Sequence, residues 1–211
     1  MIKGVIFDLD GVIVHTDKYH YLAWKALADK LGIYFDEVIN NRLRGVSRMD
    51  SLDIVLERAS KTYSDEEKKI LAEKKNSLYV ELLSNMSEKD VSEDVMNTLL
   101  TLKGRGYKIA IGSSSKNAKR ILERVGLLNM FDAIADGNDI QRSKPDPDVF
   151  LVAAKKLSLA SDEAVVVEDA IAGVKAGRAA NMLTFALGDA SQNKAADHNL
   201  TLLSDILEYL K

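Results

Sequence analysis

Two aspartates, two residues apart, close an apolar run near the N-terminus, Val5-Ile6-Phe7-Asp8-Leu9-Asp10-Gly11. A buried, unpaired carboxylate is costly, so acids delivered by a buried strand call for a cation beside them. At the carboxyl edge of an open parallel sheet, where ligands bind, Asp8 could attack a phosphorus atom or hold a metal, and Asp10 could move a proton. D-x-D-G also occurs in surface turns and calcium sites, and the pair alone leaves these readings open. Three later segments supply what phosphoryl chemistry needs. Ile109-Ala110-Ile111 reads as a strand running into Gly112-Ser113-Ser114-Ser115-Lys116-Asn117, whose hydroxyls and amides suit either phosphate oxygens or the start of a helix. Lys144 precedes Pro145 in a stiff S-K-P-D-P-D turn that can fix a cation over the site, although a lone lysine there is usually solvated. Val165-Val166-Val167 ends in Glu168-Asp169, and two acids at a strand end suit a hard, oxygen-seeking cation such as Mg²⁺.

In order, D-L-D-G, S-S-S, K-P and E-D resemble the four-motif signature of the haloacid dehalogenase superfamily, and the match runs through most of the chain. Composition agrees with an enzyme of that kind. The 211 residues carry a formal net charge of -3 without a basic block, which argues against nucleic acid as a partner. There is no cysteine and no apolar run long enough to span a bilayer, and Met1 leads straight into the first expected strand. No membrane association and a cytoplasmic location are therefore expected.

The elements that must position these residues follow from periodicity. A strand is expected at about 2–7, followed by a helical stretch without strands from His15 to Lys89. Within it, Tyr21, Trp24, Leu27, Ala28 and Leu31 form a helical stripe ending at Gly32. Further helices are expected at 51–59 and 65–83, the latter with Glu and Lys on a solvated face. Beyond Asp90 the pattern alternates: helix 93–104, strand 107–111, helix 116–125, strand 133–135, helix 146–157, strand 164–167, helix 170–180 and strand 183–186, with a last helix at 201–209. Alternation of this kind predicts an α/β fold, a Rossmann-like doubly wound parallel sheet. The expected division is a core of residues 1–14 and 90–211 with an inserted all-helical cap of residues 15–89. Short polar crossings near Val14–Thr16 and Ser87–Ser92 would act as hinges for a cap that closes over the site.

Within the cap, His20, Trp24, Gly45-Val46-Ser47-Arg48, Ser51 and Lys75-Asn76 resemble the pattern of the β-phosphoglucomutase family. Taken singly they say little: His20 fits a helix surface, Trp24 a core, and Lys75 is one lysine among many. Arg48 says more, because a guanidinium behind a glycine loop can clamp a phosphate through two parallel hydrogen bonds. The resemblance implies conversion of β-D-glucose 1-phosphate to glucose 6-phosphate through β-glucose 1,6-bisphosphate, which also serves as primer. Asp8 would be the nucleophile and Asp10 the acid and base. Thr16, His20 and Lys75 would couple closure to the placing of Asp10, and Ser113 and Lys144 would offset charge on the transferring group. Mg²⁺ would be held by Asp8, the main-chain carbonyl of Asp10, Glu168 and Asp169. Trp24, Gly45, Val46, Ser47, Arg48, Ser51, Asn76, Ser114, Ser115, Lys116 and Asn117 would line the substrate site with Lys75, and a monomer is implied. Rival expectations are a sugar-phosphate phosphatase on the same core and a non-catalytic phosphate-binding protein. The chain departs from the family pattern at His15, where aspartate is common, and at Ser92-Glu93-Asp94, where an aromatic-proline-glycine turn is usual. His198 has no assignable role.

Overall fold

The β-branched run at the N-terminus forms a strand that is covered on both faces, as a central strand of a parallel sheet requires. The computed structural model describes residues 1–44 and 46–211; Gly45, one of the expected substrate residues, lies outside them. The first elements are β1 (Gly4–Phe7), α1 (Asp17–Lys30), α2 (Glu37–Asn41), α3 (Arg48–Leu56) and α4 (Asp65–Leu82). Then come α5 (Glu93–Gly104), β2 (Lys108–Gly112), α6 (Ala118–Arg124), β3 (Ala133–Ala135), α7 (Asp148–Leu157) and β4 (Ala164–Glu168). The chain finishes with α8 (Ile171–Ala179), β5 (Leu183–Ala186), α9 (Gly188–Ser191), β6 (His198–Asn199) and a 3-10 turn at Leu203–Glu208.

Among the described residues the strands form one sheet in the order β3-β2-β1-β4-β5-β6, and every pairing is parallel. The carboxyl ends of β1, β2 and β4 therefore lie side by side at the middle of the sheet. One face is covered through Phe7, Leu99, Leu102, Ile121 and Phe185, the other through Ile6, Phe150, Ala153 and Ala176. Full burial of large side chains such as these contributes roughly 1.5–3 kcal/mol each. The helices between β1 and α5 carry a cluster of their own around Trp24, Leu27, Leu52, Val55 and Leu71. Tyr19, Ala23, Tyr79, Leu83 and Met86 belong instead to the cluster of the sheet, so the two ends of this insertion are rooted in it.

Several boundaries differ from the expectation. The helix expected at 51–59 is α3, which starts at Arg48 because Ser47 caps it, its hydroxyl accepting from Asp50 N at 3.1 Å. Its buried face is Ser51, Leu52 and Val55, and the cap rather than periodicity sets its start. The short α2, capped by Asp36, was too brief for a periodic signal. The last helix contracts to the 3-10 turn, whose Leu203 and Ile206 are spaced for i+3 packing. His198 is the edge of the sheet: its ring stacks 4.9 Å from Phe185 and lies 4.5 Å from Tyr209. His15 is exposed. Ser92 caps α5 by accepting from Val95 N, an ordinary helix start in place of the rigid turn.

Candidate active site

β1 hands its chain to Asp8, whose N–H still donates to Val167 O at 2.9 Å, so the carboxylate emerges beside the end of β4. β4 ends in Glu168, and Asp169 follows. Asp8, Glu168 and Asp169 are all buried, and one oxygen of each lies within 4.8 Å of the others. Two glycines make the room. At Gly11, where φ is +93°, a Cβ would collide with the Asp169 carboxylate, and at Gly173 with that of Glu168.

Lys144, 2% exposed, joins this cluster from the loop before α7. It donates to Asp8 Oδ1 and, at 2.5 Å, to Glu168 Oε1. Burial works against its charge, but Asp8 and Glu168 outweigh it and hold the ammonium above its ordinary pKa. The other Glu168 oxygen accepts from the N–H groups of Asp169 and Ala170, both at 3.0 Å. With Arg44 reaching Asp169 from the insertion, two cations stand against three clustered carboxylates, which still leaves a deficit of positive charge, and an all-oxygen, hard donor set fits a small divalent cation. Burial pushes Asp8 well above the usual carboxylate range despite Lys144. Asp169 rises to about 7, through burial and Glu168.

The Asp10 side chain lies outside the carboxylate cluster and accepts from Thr16 Oγ1. Thr16 is fully buried behind the cleft and accepts in turn from Tyr79 Oη at 3.3 Å. Burial raises Asp10 to about 6, with the Thr16 bond opposing. Lys75 Nζ sits 3.0 Å from His20 Nδ1 and 4.7 Å over the Trp24 ring. Burial, with Arg48 nearby, lowers Lys75 to about 7, and burial with Lys75 and Arg48 holds His20 well below its ordinary value. From the sheet side, Ser113 Oγ accepts from Ser115 N at 3.1 Å and Ser115 Oγ from Asn117 N at 3.2 Å. Asn117 then donates to Asn76 Oδ1 across the cleft at 2.9 Å.

Between the helical insertion and the sheet lies a cavity of about 910 Å³. Asp8, Asp10, His20, Trp24, Val46, Ser47, Arg48, Ser51, Lys75, Asn76, Ser113, Ser114, Ser115, Lys116, Asn117, Lys144, Glu168 and Asp169 all line it. Of the expected residues that are described, Thr16 alone is outside the lining. Sequence reasoning missed Arg44 and Tyr79. Arg44, on the insertion, reaches the sheet and pairs with Asp169, with Asp189 at 2.8 Å and with Asp17 at 3.5 Å. Its position beside the Gly45-Val46-Ser47-Arg48 segment was the available signal. Tyr79 lies one helical turn beyond Lys75 on α4, which is the signal that it shares the same face.

Residues 2–181 match the family described as haloacid dehalogenase-like hydrolase, and the chain belongs to that family. Within it, the likeness extends to β-phosphoglucomutases, among them the following two. One, from Bacillus subtilis strain 168, is 39% identical over 206 residues, 97% of this chain and 91% of that protein. The crystal structure of the other, from Clostridium difficile, superposes with a TM-score of 0.94 at 39% identity, covering 100% of this chain and 96% of that one. A phosphorylated carbohydrates phosphatase from Thermotoga maritima is 29% identical over 183 residues, 85% of this chain and 82% of its own.

Proposed function

We propose that the chain interconverts β-D-glucose 1-phosphate and glucose 6-phosphate through β-glucose 1,6-bisphosphate. The observation that carries this reading is one cleft with two chemistries on opposite walls. Asp8, Asp10 and Lys144 lie on the sheet side, and a half-buried Arg48 faces them from the insertion. A phosphatase needs only the first wall. A mutase must also hold a second phosphate while its sugar turns around, and a guanidinium can grip either phosphate by the same two-pronged contact.

Asp8 Oδ attacks the phosphorus of the bisphosphate and forms a P–O bond as the bond to the sugar oxygen breaks. Asp10 gives its proton to that leaving oxygen. In the return direction a sugar hydroxyl attacks the aspartyl-phosphate, Asp10 takes the hydroxyl proton, and the bond to Asp8 breaks. An acid raised to about 6 is poised for both roles near neutrality. Lys144 and Ser113 offset charge on the transferring group, while Ser114, Ser115, Lys116 and Asn117 hold the sugar phosphate from below. Asp8, Glu168 and Asp169 would hold Mg²⁺ with the main-chain carbonyl of Asp10. Bound there, Mg²⁺ supplies electrostatic stabilisation of the phosphoryl oxygens. Thr16, His20 and Lys75 tie closure to the placing of Asp10, and Trp24, Val46, Ser47, Ser51 and Asn76 shape the sugar site.

Residues 15–89 are the cap, residues 1–14 and 90–211 the core, and the working unit is a monomer. Among the described residues no helix is long and apolar enough to cross a membrane. The phosphatase relative keeps hydrolysis as the second reading. The test is turnover of β-glucose 1-phosphate with Mg²⁺ and a trace of bisphosphate, following glucose 6-phosphate and free phosphate together, with the α anomer as control. Primer-dependent glucose 6-phosphate from the β anomer alone is the expected result; phosphate release without isomerisation would overturn it.

A further inference from the structure

The cap wall of the cleft carries an unequal set of charges. Lys69, Arg44, Arg48 and Lys75 line it, against Asp17, Asp50 and Glu73. Asp17 is engaged with Arg44, and Asp50 accepts from the Ser47 hydroxyl at 2.6 Å. Glu73 alone of these acids is paired with the arginine of the phosphate wall: Arg48 Nη1 donates to Glu73 Oε1 at 3.1 Å. The two partners differ in environment. Arg48's side chain is 22% exposed and Glu73's is 72% exposed. Burial weakens the charged form of Arg48, and Glu73 opposes that loss. Beneath lie Lys75, whose neutral form burial and Arg48 favour, and His20. Without Glu73 the guanidinium would face these two nitrogen bases without the acid that pairs with it.

The pairing follows from the helix. Glu73, Asn76 and the preceding Lys69 stand on one face of α4 at helical spacing, and that face lines the cleft. The carboxylate therefore rises from the same helix that supplies Lys75, at the solvent mouth of the site. It is a single-point contact, whereas a phosphate dianion offers the guanidinium two parallel bonds and greater charge.

We infer that Glu73 is a specificity-determining residue that stands in for the distal phosphate: its carboxylate holds Arg48 until substrate enters and is then exchanged for a phosphoryl dianion. The inference rests on the assignment of Arg48 to that phosphate. Two consequences follow. Ligands with a weaker anion, or none at that distance, do not displace the carboxylate and are disfavoured. The grip on a true phosphate is also weakened by the competing acid, which suits a bisphosphate that must let go and turn around before its second transfer.

The test is calorimetric binding of glucose 6-phosphate, with Mg²⁺ present, to four proteins that cannot turn over: Asp8→Asn, and Asp8→Asn combined with Glu73→Gln, with Arg48→Ala, or with both. Glu73→Gln is expected to lower Kd roughly two- to five-fold, the range of an exposed ion pair. That gain should vanish when Arg48 is also alanine, because a carboxylate that acts only through Arg48 has nothing left to release. An unchanged or raised Kd for Glu73→Gln overturns the inference. So does a gain that persists without Arg48, which would mark Glu73 as a general repulsive charge. If Arg48→Ala alone leaves Kd unchanged, the phosphate assignment of Arg48 fails, and this inference fails with it. Circular dichroism of all four proteins secures that each is folded.

Discussion

Asp8 and Lys75 are both buried titratable groups, and their consequences run in opposite directions. Asp8 is indispensable to the proposed chemistry, since an amide neither attacks phosphorus nor leaves from it. Asp8→Asn should cut turnover by about 10⁴-fold or more while sugar phosphate still binds, a combination that separates an enzyme from a binding protein. Lys75 costs the fold stability. Its folded pKa of about 7 lies below the ordinary lysine value of 10.5, so between those limits the unfolded chain binds more protons. Stability therefore rises as pH climbs from 7 towards 10.5, and the full penalty is present below 7. Lys75→Met should raise the urea midpoint at pH 7, by roughly 1–4 kcal/mol of stability, and slow turnover. Its advantage over the unmutated chain should shrink as pH is raised to 10. A midpoint difference that stays constant with pH would mean Lys75 is charged in the native state throughout.

At the scale of elements, the site is made where β4 turns into α8. Gly173 sits in the first turn of α8, and any Cβ there would overlap the Glu168 carboxylate. Gly104 ends α5 with open space around it. Gly173→Ala should displace Glu168 from Lys144 and weaken divalent-cation binding at least about ten-fold by calorimetry, whereas Gly104→Ala should stabilise by up to roughly 1 kcal/mol and leave binding unchanged. These elements were largely legible in the sequence. Apolar β-branched triplets ending in acids read as central strands because a strand buried on both faces needs an unbroken apolar run. Asp8, Glu168 and Asp169 were legible for the same reason, as charges with no business at the end of such a strand, whereas Lys144 was legible only from the stiff turn before Pro145 and from the order of the motifs. Arg44 was marked only by its place beside the Gly45-Val46-Ser47-Arg48 segment, because its partners Asp17, Asp169 and Asp189 are distant in the chain and leave no local trace. The start of α3 was not legible, because the hydroxyl of Ser47 rather than periodicity decides the boundary, nor was β6, whose two residues are too short to alternate.

For the molecule as a whole, Arg44 bridges the insertion and the sheet through Asp169 and Asp189. Removing it leaves Asp169, 4% exposed, without its arginine. Arg44→Ala should open the cleft: the radius of gyration from solution scattering should increase, and KM for the sugar phosphate should rise about ten-fold. An unchanged scattering profile would show that closure is carried by other contacts, such as that between Asn76 and Asn117. The order of the sheet has a different kind of consequence. β1 is made before the other strands of the sheet, yet Gly4 pairs with Lys108 on one side and with Ala164 on the other. The earliest of these strands must therefore wait for β2 before one edge is satisfied and for β4 before the other, while the helices that follow it can bury Trp24, Leu27 and Leu52 against one another as soon as they emerge. During synthesis, the insertion proposed to hold the sugar can therefore gather before the sheet, and Asp8 can reach its place beside Glu168 and Asp169 only once those two acids have been made.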